Sequence, residues 1–291
     1  MQDMPEEFDA AFYGRYYSDL GKFSETQLRT HWLSFGRNEA RIGSAAAIRE
    51  GLLEIASKSK SVLEIGPFCN PCVRGPNVKY FDVLDQEALT KRSLEIGYST
   101  DPAPHIDYVS PVGDLSVVTE QFDAVVSSHC IEHQPDLVHH LQQVGRILSP
   151  DGRYFIISPD KRYCFDHYID VSSVADVIEA HHQQRKVHTL ASVIEHRALT
   201  THNDTARHWN GDHANSDYQS SIPRRTAAAI EEHKAANGEY IDVHAWQFTP
   251  DSFRNVVAAL SAIGLIGLKP ERVYATCRGR NEFTAILSKQ E

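Results

Sequence analysis

No stretch of this 291-residue sequence is apolar for long enough to cross a bilayer. The longest nearly apolar run, Val256 to Leu268, is 13 residues, against the roughly 20 that a spanning helix needs. A basic surplus is also missing. Lys and Arg number 29 against 39 Asp and Glu, a formal net charge of −10, which argues against a protein whose main task is gripping nucleic acid. Cysteine is scarce: five residues, an odd number spread through a long chain, do not make a disulfide framework. A reducing, cytoplasmic setting is therefore expected. Met1 to Phe8 carries acids where a secretory leader would need a basic and then an apolar stretch. No internal repeat or low-complexity tract stands out. Histidine is the abundant type, with 16 residues, ten of them between His167 and His244.

Four regions follow from the pattern. Residues 1–45 form a helical preamble in which Phe8, Phe12, Tyr16, Tyr17 and Leu20, then Leu28, Trp32 and Phe35, recur before Gly36. Residues 46–160 alternate helix and strand. A helix is expected over Ala45–Ser57, with Ile48, Leu52 and Ile55 on one face. Strands are expected over Ser61–Gly66, Val78–Val83, Phe122–Ser127 and Tyr154–Ser158. Leu137, Leu141, Val144 and Leu148 mark an amphipathic helix after Pro135, and Ser149–Gly152 reads as a turn. Residues 161–240 break the rhythm with a polar insertion, helix-like at Val171–Ala180 and Arg225–Ala236, which suits a lid or substrate-shaping segment. Residues 241–291 resume it. Thr249-Pro250-Asp251 is a helix start, Phe253, Val256, Val257 and Leu260 form its inner face, and strands follow near Leu268–Tyr274 and Phe283–Leu287. Strands separated by helices imply right-handed crossovers and a parallel sheet, so the fold class is α/β.

Open α/β sheets bind ligands beyond the carboxyl ends of their strands. The first strand ends Glu64-Ile65-Gly66-Pro67-Phe68-Cys69-Asn70-Pro71. Gly66 lets the backbone approach a ligand closely. With Phe68 and Asn70 in place of glycines this is not a G-x-G-x-x-G phosphate loop, and Glu64 would repel a pyrophosphate. It would attract a cation. Asn70 tolerates a left-handed backbone, which Phe68 cannot adopt cheaply. The C-x-x-C formed by Cys69 and Cys72 lacks a second pair for zinc and is read as loop packing.

Val62 to Asn70 resembles the first motif of class I S-adenosylmethionine-dependent methyltransferases of the type 11 kind. The likeness continues through Tyr80-Phe81-Asp82-Val83, Gly113-Asp114-Leu115, Phe122 to His133 and Leu148 to Arg153, in that order. It implies a doubly wound, mostly parallel, seven-stranded Rossmann-like sheet with S-adenosyl-L-methionine as cofactor. It places Glu64, Gly66, Pro67, Asp82, Val83, Asp114, Leu115 and Ser128 around that cofactor, Asp82 on the ribose hydroxyls and Asp114 on adenine. The preamble, from Phe8-Asp9 to Glu39-Ala40-Arg41, resembles a short module found beside bacterial glycan-biosynthesis enzymes. A plain helical cap on the main domain fits it equally well.

Methyl transfer from a sulfonium needs a positioned nucleophile and, for oxygen, a base. The loop after the fourth strand offers His129, the first candidate for base or substrate orientation, and Asp160 is the second. His129 also stands as a loop residue packing under the cofactor. His129-x-x-Glu132-His133 is formally the H-x-x-E-H pattern of a zinc peptidase, yet it directly follows a strand and meets Pro135, which leaves no regular helix to align two histidines. Some quinone-type methyltransferases carry acid-x-x-Glu-His at this position and bind a divalent cation; here His129 replaces the first acid. A structural role, tying the loop to the next helix, is the favoured reading of Glu132 and His133, and no metal set is assigned.

In the insertion, His208, Trp209, Asp212 and His213 mix an aromatic platform with short polar arms, and Trp246 follows further on. These five are the candidate acceptor-binding residues, because a sugar ring presents both apolar faces and hydroxyl edges. A polar lid with solvated histidines is the plain alternative. The resulting expectation is methyl transfer to an oxygen, less readily a nitrogen, of a small molecule, with a sugar or glycan intermediate preferred. A quinone or secondary metabolite, or a non-catalytic nucleoside-binding partner subunit, are the rivals. No nucleic-acid or membrane partner is expected, and the oligomeric state is open.

Overall fold

The computed structural model describes residues 7–290. The expectations placed on Met1 to Glu6, including most of the acidic opening, lie outside the described residues. The preamble forms helices α1 (Ala10–Tyr16) and α2 (Glu25–His31), closed by a wide turn over Trp32–Gly36. Its core is Tyr13, Leu20 and Leu28, while Tyr16 and Phe35 are exposed. The aromatic spacing thus marks the helices but not which rings are buried.

Helix α3 (Arg49–Ser57) begins four residues later than expected. Ala45–Ala47 makes a single tight turn and Ile48 is extended (φ −123°, ψ 150°), which interrupts any continuous helix. Leu52 is buried against the sheet and Ile55 is exposed. Next come β1 (Val62–Ile65), β2 (Val78–Asp82), α4 (Gln86–Glu95), β3 (Tyr108–Val109), β4 (Phe122–Ser128), α5 (Leu137–Ile147) and β5 (Leu148–Pro159). The expected turn at Ser149–Gly152 lies inside β5. Phe122 pairs with Leu148 and Ala124 with Arg153, so the extra residues bulge between two rungs of one ladder.

The insertion holds α6 (Val174–His182), α7 (Leu190–Ile194), α8 (Thr205–Trp209) and α9 (Tyr218–Ala236). Helix α6 sends Val177 and Ala180 into the main core, whereas Val193, Ala229 and Val243 form a small cluster of their own. Helix α10 (Pro250–Ala262) starts as expected, with Thr249 as cap, Pro250 in the first turn and Phe253, Val256, Val257 and Leu260 buried. Strands β6 (Leu268–Val273) and β7 (Glu282–Lys289) complete the chain.

The seven strands lie in the order β3-β2-β1-β4-β5-β7-β6. All neighbours are parallel except β7, which runs antiparallel to β5 and β6. Successive side chains feed opposite faces. Val125 and Ile156 join the core under α5 and α10, and Ala124, Val126, Phe155 and Ile157 join the one under α3. Helices on both faces make the sheet doubly wound. The chain leaves β1 toward β2 and β3, then returns to β4 on the other side. That reversal opens a crevice at the carboxyl ends of β1 and β4. No described helix is long and apolar enough to cross a membrane.

Candidate active site

The crevice begins at Gly66, whose φ is +71° and whose missing Cβ would meet nothing within 4 Å. The backbone there is bare and open. Phe68 adopts φ +48°, and Asn70 is not among the residues with positive φ, which reverses the expected assignment. Such a conformation costs a bulky residue on the order of 1–3 kcal/mol. It is held by the Phe68 N–H donating to Asp82 Oδ2 at 3.3 Å and by the ring packing edge-on to Tyr98. Asp82 Oδ1 accepts from the Val83 N–H at 2.7 Å, so the end of β2 and the first turn are stitched into one unit. Burial raises the Asp82 carboxyl pKa above its ordinary value, and these N–H donors oppose the rise.

Glu64 behaves differently from expectation. Both of its oxygens accept backbone N–H groups, from Cys72 at 2.8 Å and Val73 at 3.0 Å, so the acid closes the turn behind the crevice instead of standing free for a cation. Pro67 is buried in the same turn. The cysteines are free and buried or half-buried, consistent with packing.

At the far edge, Gly113 is also left-handed and Asp114 caps a short turn, its Oδ1 accepting from the Ser116 N–H at 2.8 Å and from the Gln143 side chain. Leu115 cannot contact a ligand through its side chain, which is 1% exposed in the main core. Its N–H already donates to Gln143 Oε1 at 3.3 Å. Sequence reasoning named Val83 but missed its apolar neighbours: Val83, Val109 and Val112 are exposed beside Asp82 and Asp114, a surface suited to a flat heterocycle.

On the β4 side, Ser128 ends the strand and His129 follows at φ +50°. His129 Nε2 lies 3.0 Å from Glu282 Oε2, and Glu282 in turn takes two hydrogen bonds from Arg49, at 2.9 and 2.7 Å. Burial pushes the Glu282 carboxyl pKa upward, but the hydrogen bonds from His129 and Arg49 outweigh it and bring the group down to about 2. With Nε2 donating to that anion, Nδ1 is the accepting nitrogen of the ring, 3.6 Å from Glu132 Oε1. Arg49 and Glu282 lie far apart in sequence and no spacing signal joins them.

Asp160 does not share this setting. It is fully buried, Oδ1 accepting from the Arg162 N–H and Nε and Oδ2 from Arg162 Nη2 and the Thr276 hydroxyl, both at 2.6 Å. Its lone pairs are committed to holding the end of β5 against the Thr276 segment, which removes it as a base. The H-x-x-E-H peptidase reading also fails: the pattern falls on one short turn, Ile131–His133, and His129 is bound to Glu282.

Of the acceptor candidates, Trp246 is 3% exposed, with its indole N–H donating to the Gln134 carbonyl at 2.6 Å. It is a core residue, because a large ring near a sheet gains more from burial than from solvent. His208 is buried and shares a 3.0 Å contact between Nδ1 atoms with His213, whose ring stacks on His167 at 3.7 Å. Asp212 is exposed and paired with Arg207. Trp209 lies flat on Tyr163, centroids 3.9 Å apart, and remains half-exposed.

Residues 37–209 match a family model described as "Methyltransferase domain", more than half of the chain. Among solved structures the chain is similar to the mitomycin 7-O-methyltransferase MmcR, at 11% identity and TM-score 0.39, over 97% of this chain and 61% of that one. It thus spans less than two thirds of that protein. It is also similar to DhpI in complex with SAH (10% identity, 98% and 95% of the two chains, TM-score 0.40). The magnesium protoporphyrin IX methyltransferase ChlM of Synechocystis PCC 6803, with bound SAH, gives 11% identity, 92% and 88% coverage and TM-score 0.37. No curated protein matches. Given the family match, the chain belongs to the methyltransferase domain family, enzymes whose cofactor is S-adenosyl-L-methionine.

Proposed function

We propose that this protein transfers the methyl group of S-adenosyl-L-methionine to an oxygen of a small molecule, a sugar or glycan intermediate by preference. The observation that carries the oxygen assignment is the Arg49–Glu282–His129 chain at the end of β4. A hydroxyl is a poor nucleophile until its proton has somewhere to go. In the step, the acceptor oxygen forms a bond to the methyl carbon as the carbon–sulfur bond breaks. The sulfur keeps the electron pair as a neutral thioether, and the hydroxyl proton passes to His129 Nδ1. Glu282, held ionised by Arg49, then faces an imidazolium.

Cofactor residues fit the donor. Asp82 supplies a carboxylate for the ribose hydroxyls, Gly66 leaves room for the backbone to approach, and Val83, Val109 and Val112 offer an apolar surface to adenine. The sugar preference is supported by the half-exposed Trp209–Tyr163 stack beside the polar arms of Asp212 and His213, and by the likeness of the preamble to modules of glycan enzymes.

His129→Ala is expected to slow transfer by about a hundredfold to ten-thousandfold with cofactor affinity unchanged, the usual span of a general base. Glu282→Gln should lower kcat by a smaller factor at constant cofactor affinity. Single-turnover formation of S-adenosyl-L-homocysteine with a panel of hydroxylated glycan, quinone and phenolic acceptors reads both. Full activity in the His129 variant would remove it from the mechanism. Cofactor uptake with no product from any acceptor would favour a non-catalytic partner subunit.

A further inference from the structure

Beneath the β4 loop the chain buries a group of ionisable side chains that methyl transfer, as described, does not use. Glu132 is 1% exposed, and among the described residues neither of its carboxylate oxygens has a hydrogen-bond partner. The nearest flanking base, His129 Nδ1, stands 3.6 Å away, beyond hydrogen-bond range. The expected tie from this loop to the next helix is not made by the Glu132 side chain; its carbonyl accepts from the Ala245 and Trp246 N–H groups, a distant segment. The side chain makes no hydrogen bond, and His129 Nδ1 at 3.6 Å is the one basic atom at ion-pair distance among the described residues. An unpaired buried carboxylate is costly and persists where a cation compensates it.

Its neighbours are imidazoles. One ligand-capable atom from each of Glu132, His133 and His244 lies within 4.8 Å of the others, and Asp166, His196 and His244 form a second such group sharing His244. The His133 and His244 rings meet edge to face, centroids 4.7 Å apart. Behind each ring stands an acid. His244 Nδ1 is 2.6 Å from Asp166 Oδ2, and His133 Nδ1 is 2.9 Å from Asp242 Oδ1. With Nδ1–H of His244 given to Asp166, its Nε2 lone pair is free. A carboxylate behind the ring is the arrangement that fixes the tautomer and aim of metal-binding histidines.

We propose that Glu132, His133 and His244 bind a divalent first-row transition ion, with Asp166 orienting the His244 imidazole through its hydrogen bond and Asp242 lying at ion-pair distance from His133. Two nitrogens and one carboxylate oxygen suit zinc, iron or cobalt better than calcium or magnesium, which take mostly oxygen. Three protein ligands leave a coordination position for water or for an oxygen of a bound molecule. Glu132 Oε1 stands 3.6 Å from His129 Nδ1, so the ion would lie next to His129. One ligand comes from a segment 111 residues beyond His133, which is why the local pattern did not reveal the set.

Metal binding can be read without any methyl transfer, so its failure leaves the transferase reading standing. The full-length protein, stripped with chelator, is titrated with Zn²⁺ by calorimetry and with Co²⁺ by visible absorption. One equivalent should bind, and Zn²⁺ should raise the thermal midpoint. Glu132→Gln and His244→Ala should each weaken Zn²⁺ binding by at least about a hundredfold, and Asp166→Asn by about tenfold; His182→Ala, at an exposed histidine, should leave it unchanged. Glu132→Gln preserves shape and decides the matter if the histidine variant does not fold. Its midpoint should not respond to Zn²⁺. Failure of the stripped wild type to bind either ion at one equivalent, or wild-type affinity in Glu132→Gln, would overturn the proposal.

Discussion

Gly66→Trp should abolish uptake of S-adenosyl-L-homocysteine, and Asp82→Ala should weaken it by about a hundredfold, or about 2.7 kcal/mol. At Gly66 the reason is twofold. Its φ of +71° strains any L side chain, at about 1–2 kcal/mol. The space over its Cα is empty of protein, so an indole would occupy volume left to a ligand without clashing with the fold. At Asp82 the loss is of an anion already oriented by the Val83 and Phe68 N–H groups. Two charge-assisted hydrogen bonds to a ribose diol account for a loss of this size. Asp82→Asn, which keeps one acceptor, should fall between the wild type and Asp82→Ala. Calorimetric titration with a parallel thermal melt separates lost binding from lost folding. Unchanged affinity in both Gly66→Trp and Asp82→Ala would undo the site assignment.

A second large effect is expected in acid. His140, on α5, is buried, its Nε2 3.0 Å from the Tyr154 hydroxyl, which also meets Ser127. Burial first, and the nearby His139 second, bring the His140 pKa down from 6.5 to about 4. Tyr154, pushed up by burial, stays neutral and offers no charge to hold an imidazolium. Between these values the unfolded chain takes up a proton that the folded chain refuses, so stability is complete above pH 6.5 and is lost as pH falls toward 4. For His140 alone each pH unit across that window removes about 1.4 kcal/mol, on the order of 3 kcal/mol in all, and His188 and His196, brought by burial to about 4 as well, add to it. Denaturant midpoints should therefore drop through this window, and His140→Phe should flatten that slope. An identical slope in the variant would show that other groups set the acid sensitivity.

Much of the fold is legible in the sequence because the physics there is local. Buried parallel strands read as short apolar runs, and Thr249-Pro250 marks the start of α10 by the geometry of its cap alone. The site is legible only in outline. Spacing places Gly66, Asp82 and His129 at strand ends, where topology gathers them. It does not say which way a strand-end side chain turns, and so Glu64 and Leu115 looked like ligand contacts while one closes a turn and the other fills the core. Trp246 misleads for a related reason, since an aromatic flanked by polar residues has the same local signature in a core as in a binding face. The contact of Arg49 with Glu282 and the approach of His244 to Glu132 bring distant segments together, which no short pattern encodes. Phe68 is the sharpest case: its left-handed backbone is set by the surrounding turn against its own preference.

The most direct test is a side-by-side titration of the wild-type protein with S-adenosyl-L-homocysteine and with NADH. Saturable one-to-one binding of the homocysteine nucleoside, with no detectable heat from the nicotinamide, is the result expected of a crevice lined by Gly66 and Asp82. Binding of NADH in preference, or no uptake of the sulfur compound at all, would contradict it.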